Sequence, residues 1–586
     1  MAFHKGMIGT ALALAFTLGA PLTAGAQGGG GGGRGGRGGG APYTPEPGAR
    51  DLRSVLFNWT WHLGMLRSSE ERDLIASLEY QGTGTIQVDG QPCTLTKYRI
   101  SASYQTSGQR TQIACTRPNG QTHSTIEVLS GAYAWNEDIP GAELIPGEGT
   151  ATPMAAATEE RMIRLWASPQ GAPKAALAGI QDPPLFSVRP GTQVPADVAT
   201  AGRTSVAWEG GKPVVTFPIP GVPGATATAT LDEKFMAERV VVRHGTSTTE
   251  FVYSGYRDWN NPLHPAEAFV AGRMTERLNG TVVRDITTTQ TETGQMYVVM
   301  PVPASVQAAI TPTLQPPDWV SAFARPEPAQ SSAAEAETPR LANGKPDLTG
   351  SWNSPNTGPP GSGTRRCGPT QSADCHPGHN FTVDYAWISP PRYGPNRPLY
   401  RPEYWDRVQE LDMWTNRYDP VMTCQPLGLP RQGPPARIVH TDNDIIFLYR
   451  MYGDYGGGNS EFRVIPTDGR EHDPNTARQA TYYGYTIGDW EGDTLVLNSI
   501  SFVDSTWLGR GGLFHSGDMR ITEKLTRRGD EILYEVTVED PESFLEPWVM
   551  TPRIMRLNTG NNAGLIPERA NCEVYETGEI STQLRH

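Results

Sequence analysis

Apolar residues recur at helical spacing near the start of the chain: Leu52, Val55, Leu56 and Trp59. This pattern predicts a helix with one buried stripe. The period then falls to two. SLEYQGTGTIQVDGQPCTLTKYRISASYQ (77–105) alternates in character, with Asp89-Gly90 at a hairpin tip. TATATLDEKFMAERVVVRHGTSTTEFVYSGYRDW (226–259) follows the same grammar, strands joined by charged or glycine turns. Between them TEERMIRLWASPQGAPKAALAGI (158–180) reads as helix with a glycine-proline interruption. Together these elements predict a curved antiparallel sheet with helices on one face.

The later half is patterned almost wholly as hairpins. RIVHTDNDIIFLYRMY turns at Asp442-Asn443, TIGDWEGDTLVLNSISF at Glu491-Gly492-Asp493, and MRITEKLTRRGDEILYEVTVED at Gly529-Asp530. Such regular spacing predicts a closed or nearly closed antiparallel barrel, making the whole chain mainly β.

Composition divides the 586 residues further. Met1–Lys5 is basic, residues 7–22 are apolar, and an Ala-x-Ala site ends at Ala26. A secretory signal peptide (1–26) is therefore expected, and with it an exported, periplasmic or extracellular location. Residues 27–42 are glycine-rich and read as a flexible tether. Proline, alanine and acidic residues mark a linker at 316–344, leaving a β-rich domain with helices (43–315) and a barrel domain (345–586). No later segment approaches ~20 consecutive apolar residues, so no further membrane span is expected. The formal charge of −13 argues against a nucleic-acid partner. Composition does not set the oligomeric state.

Several phrases resemble known families. The ending YSGYRDW, followed by YVVMPVPASVQAAI, is similar to LolA-like envelope lipoprotein carriers, which implies a half-barrel for the first domain. KPDLTGSW (345–352) ends in the Gly-x-Trp phrase seen at the first strand of lipocalin-like barrels, where the Trp plugs the closed end. DPVMTCQPLGLPR (419–431), GDWEGDTLVL (488–497) and STWLGRGGLFHSGDMRITEKLTR (505–527) resemble a widespread, largely uncharacterised bacterial exported family. Its phrases run DPxxxCxPxGxPR, GxWEGDTLVV and TWLDxxGxxHSxxLxxxERxxR; here the "ER" reads Glu523-Lys524. That resemblance implies a fold and an exported setting, and no mechanism.

Six cysteines in an exported chain favour disulfides. Proximity pairs Cys93 with Cys115 and Cys367 with Cys375, which leaves Cys424 for Cys572. The stretch CGPTQSADCHPGHN (367–380) invites zinc or haem, yet its Cys-x7-Cys-His spacing suits neither as well as a stapled loop. No metal and no cofactor are expected. Strand parity offers a sharper candidate. Met519, Ile521, Glu523 and Leu525 share one face, and Ile532, Tyr534, Val536, Val538 and Asp540 share another. Two carboxylates would thus project from apolar faces, where each needs a cation, a donor or a raised pKa. His515 with Glu523 or Asp540 forms a candidate acid/base set. Arg431, Trp490, Trp507 and Arg520 are candidate ligand contacts, although Arg520 has the opposite parity. The structural alternative is that these carboxylates pin arginines at strand ends. The leading expectation is an envelope-side binding protein for a hydrophobic or amphipathic small molecule. A secreted lyase or hydrolase, or a structural envelope protein, are the alternatives.

Overall fold

The computed structural model describes residues 46–65, 75–104, 106–179, 203–259, 268–294, 297–312, 336–353, 397–449, 461–550, 552–561, 563–566 and 580. The expected signal peptide and tether, most of the linker, Cys367, Cys375 with its neighbouring histidines, and Cys572 lie outside these residues. The described fold is mainly β, with a large antiparallel sheet followed by a nearly closed antiparallel barrel.

Helix α1 (Leu52–Leu63) forms as the spacing predicts. Asp51 caps it by accepting from the Ser54 amide, and Gly64 ends it at φ +93°, a left-handed turn that glycine adopts without a Cβ penalty. Strands β1 (Ser77–Val88), β2 (Gln91–Ser103), β3 (Gly108–Thr116), β4 (Thr122–Ser130), β5 (Tyr133–Glu137) and β6 (Ala151–Pro153) then run as a meander. Helices α2 (Thr158–Ala167) and α3 (Gly171–Ala178) follow. The chain breaks between them at Ser168–Gln170. A second meander comprises β7 (Ser205–Glu209), β8 (Lys212–Pro218), β9 (Thr226–Leu231), β10 (Ala237–His244) and β11 (Ser247–Ser254). The short pair β12 (Arg257–Asp258) and β13 (Phe269–Val270) lies apart from it. Strands β14 (Arg273–Leu278) and β15 (Thr281–Thr293) join the two meanders, because β15 pairs with β1 and β14 with β11. The result is one sheet of thirteen strands.

That sheet is strongly curved, as spacing alone shows. Four inter-strand steps separate β15 from β4, roughly 19 Å if the sheet were flat. Yet Arg284 of β15 donates to Glu127 of β4 at 2.9 Å. Helices α1, α2 and α3 fill part of the concave side, with Trp59, Trp166 and Leu177 fully buried among strand residues. On β1, Gly82 and Gly84 sit where a Cβ would strike Ile286 and the Asp285 carbonyl, beside a β-bulge. These glycines permit the close β1–β15 approach. Cys93 and Cys115 are disulfide-bonded across β2 and β3.

The convex face is covered too. Residues 297–310, including α4 (Ala304–Ala309), pack on Val128 and Trp135. The same segment reaches the second half. Tyr297 donates to the Pro398 carbonyl, receives the Tyr400 amide, and its own carbonyl accepts from Gln409.

The barrel strands are β16 (Gly350–Asn353), β17 (Arg437–His440), β18 (Asp444–Leu448), β19 (Phe462–Pro466), β20 (Tyr485–Glu491), β21 (Thr494–Ile500), β22 (Arg520–Arg528), β23 (Glu531–Glu539), β24 (Trp548–Val549) and β25 (Arg553–Leu557). The paired order runs β19-β18-β17-β16-β25-β23-β22-β21-β20, with β24 beside β23. No ladder joins β19 to β20 among the described residues; Arg463 of β19 reaches Thr486 of β20 across that seam. Trp352 is buried in the barrel core and donates to the Leu348 carbonyl, with the Arg527 guanidinium 5.1 Å from its ring centroid. Arg527 also donates to the Asp347 and Gly529 carbonyls.

Candidate functional site

Alternation along β22 and β23 turns Glu523 and Tyr534 into the barrel, where both are buried. Alternation on β19 does the same for Arg463. An unpartnered carboxylate there would be prohibitively costly, and Arg463 removes that cost. Its Nη2 donates to Glu523 Oε1 at 2.9 Å, and Nη1 lies 2.7 Å from Oε2. The Tyr534 hydroxyl donates to the same Oε1 at 2.7 Å. Arg463 Nε donates to the Tyr449 hydroxyl at 2.8 Å, and Nη1 to Thr486, which is bonded to Ser499.

The electrostatics follow from burial and this pairing. Burial alone would lower the Arg463 pKa, but the Glu523 charge outweighs it and holds the guanidinium more firmly protonated. Burial, reinforced by Glu523, pushes the Tyr534 hydroxyl well above its ordinary value. Burial likewise raises Tyr449. The array is thus a buried Arg463–Glu523 salt bridge flanked by two phenols that are held protonated.

The other sequence candidates occupy different places. Asp540 is buried at the far end of β23 and accepts from the Ser516 amide and hydroxyl, both at 2.7 Å, and from the Ser543 amide. It is thereby a pin for two turns. By register it stands opposite Met519, four residues and about 13 Å along the strand from Glu523. His515 is buried between Thr506 and Ser516. The Ser516 carbonyl can only accept, so Nδ1 (2.8 Å) carries the proton. Nε2 then accepts from the Thr506 hydroxyl, also at 2.8 Å. Because Trp507 and Phe514 form the adjacent bridge, this is a cross-strand contact closing a hairpin. Burial lowers the His515 pKa, against opposing contributions from Ser516 and Asp540. Its ring nitrogens thus engage neither Glu523 nor Asp540.

Arg431 is buried in a salt bridge, and its Nε has no hydrogen-bond partner among the described residues. It makes two 2.7 Å hydrogen bonds to the buried Asp419, fixing the loop that contains the cis Leu429–Pro430 bond. Arg520 is exposed on the outer face, as its parity requires. Trp507 is buried in the core. Trp490 is half-buried and stacks on His440, with ring centroids 5.6 Å apart. Cys424 is disulfide-bonded, which argues against a nucleophilic thiolate. Among the described residues no group of His, Cys, Asp and Glu is arranged to hold a metal ion.

Sequence reasoning missed a second charged array, on the concave side of the large sheet. Arg164 of α2 grips Glu276 of β14 with two hydrogen bonds at 3.0 and 3.1 Å, and reaches Glu160 on its own helix. Arg284 joins Glu127, and lies 3.4 Å from Glu276. Burial would raise the Glu127 pKa, but Arg284, Arg164 and Arg161 overcome it and bring it to about 2. The signal was present as charged residues on otherwise apolar strand faces. Its partners are up to 157 positions apart, and only the curvature reveals them. Compared with known proteins, the chain matches no family model and no curated sequence.

Proposed function

We propose that this protein is an exported, envelope-side binding protein for a hydrophobic or amphipathic small molecule. One observation carries the reading: the inner barrel face is mostly apolar and holds a fixed polar array, Arg463–Glu523 with Tyr449, Tyr534, Thr486 and Ser499. Such a wall, apolar with a few fixed polar groups, is what a small-molecule site needs. The step from barrel to ligand is an argument by fold analogy. Export agrees with the Cys93–Cys115 disulfide, which suits an oxidising compartment. No helix among the described residues is long and apolar enough to cross a membrane. The likeness of 419–431, 488–497 and 505–527 to the widespread bacterial exported family belongs to the same proposal. The lyase or hydrolase alternative draws no support from His515, whose hydrogen bonds go to Thr506 and Ser516.

Intrinsic tryptophan fluorescence, titrated with a panel of hydrocarbon-tailed acids, alcohols and esters, tests the reading. Saturable one-to-one or two-to-one binding of at least one class is expected. A flat response across the panel would sink it.

A further inference from the structure

The most exposed large apolar side chains among the described residues are Phe462 and Leu565, each 64% exposed, and Val464, 54% exposed. All three lie on one side of the barrel. Alternation along β19 turns Arg463 and Ile465 inward and leaves Phe462 and Val464 outside. Leu565 is brought close to them by Arg437 of β17, whose guanidinium donates to the Gly564 carbonyl. Strand β19 also ends the paired strand order. Strands in that position ordinarily carry outward charges that keep other chains away, whereas this one carries Phe and Val.

Register shows how the patch is built. Arg437, Leu448 and Phe462 are aligned across β17, β18 and β19, and Val439, Ile446 and Val464 form the next outward row. Beyond that row Asp444 stands opposite Pro466. Val439, Ile446 and Leu448 are only partly buried, so the apolar surface is continuous from β17 to β19. A charge marks each end, Arg437 at one and Asp444 at the other. They sit on neighbouring strands, four residues and about 13 Å apart along the strand direction, too far to pair within one chain. Neither forms an ion pair with any other described residue.

We infer that this outer face is an interface between two copies of the chain, related by a two-fold axis along the Val439–Ile446–Val464 row. Such an axis exchanges the two ends of the patch. Phe462 then lies over the partner's Pro466, Val464 meets the partner's Val464, and Arg437 comes within one strand spacing of the partner's Asp444. The contact is reciprocal, so each dimer forms the Arg–Asp pair twice. This charge complementarity is what selects a second copy. A lipid surface would cover the apolar rows, but opposite charges at the two ends serve no purpose there, and the formal charge of −13 opposes adsorption to anionic lipid. Three short strands make a small interface, so the dissociation constant is on the order of 10 µM. The inference is independent of what the barrel binds.

Sedimentation equilibrium of the full chain, from about 1 to about 100 µM to bracket such an affinity, tests it. Wild type is expected to dimerise. Arg437→Asp and Asp444→Arg should each weaken the dimer about tenfold or more, because each sets like charges together twice. An equal mixture of the two variants should dimerise again, since every such contact then joins opposite charges. Only a reciprocal contact between positions 437 and 444 predicts that restoration. Phe462→Ser combined with Val464→Thr should be monomeric. None of these side chains is buried, so the far-UV circular dichroism of every variant should match wild type. A wild type that stays monomeric, or a dimer that neither reversal weakens, would overturn the inference. A monomer that floats with phosphatidylcholine vesicles, and stops doing so in Phe462→Ser, would assign the face to a membrane instead. A monomer in which Phe462→Cys resists maleimide would mean that another part of this chain covers it.

Discussion

At the scale of single residues, a charge survives inside the β-barrel because it is paired there. Glu523 was legible in the sequence, because period-two alternation placed it on the same face as Ile521 and Leu525, and all three are buried. Arg463 was not legible, since it lies 60 positions away on a strand that meets β20 only through side chains. Removing one partner of such a pair strands the other. Arg463→Met should therefore cost about 3–5 kcal/mol in urea unfolding, while Arg463→Met with Glu523→Leu should recover most of it. His515 makes a separate prediction. Its folded pKa lies below the ordinary 6.5, so the unfolded chain binds the proton more readily. Its contribution is present above pH 6.5 and is lost as pH falls below that value. Urea midpoints between pH 7.5 and 5 should fall more steeply for wild type than for His515→Gln. Glu127 acts in a lower window, its contribution present above about pH 4.5 and lost as pH falls towards about 2.

At the scale of elements, turn chemistry was the most readable feature. Asp89-Gly90, Asp442-Asn443, Gly492-Asp493 and Gly529-Asp530 all lie between paired strands. Local rules suffice there, because a hairpin is set by the residues that make it. Curvature is different, as it depends on which strands meet later. Gly82 and Gly84 looked like interruptions within a strand, yet they permit the contact between β1 and β15 that joins both meanders into one sheet. A Cβ at Gly84 would lie 1.9 Å from the Asp285 carbonyl oxygen, at a φ of +143°. Gly84→Ala should therefore destabilise by on the order of 3 kcal/mol, measured by thermal or urea unfolding. Gly90→Ala, at an open turn with nothing within 4 Å, is the milder comparison, limited to its positive φ.

At the scale of the whole molecule, the two β-rich halves meet through the convex face of the first. Arg110 donates to the Val299 carbonyl and lies 4.5 Å from the Trp405 ring centroid, while Arg99 bridges Glu79 and Asp406. None of this was visible in the sequence, which carried the mainly β class and the barrel but no hint that residues 297–310 would bind both halves. The candidate site was half visible for the same reason: strand parity finds which side chains face inward, and only the closed fold shows what each meets. Glu523 met an arginine, Asp540 a serine turn, and His515 a threonine. The central claim is the proposal that the protein binds a small molecule. Native mass spectrometry of the intact protein, purified without detergent from its native cells, tests the claim most directly. A bound species of small-molecule mass, released as a hydrophobic or amphipathic compound on denaturation, is the predicted result. Protein of bare polypeptide mass, which also fails to retain any compound from an envelope lipid extract, would contradict it.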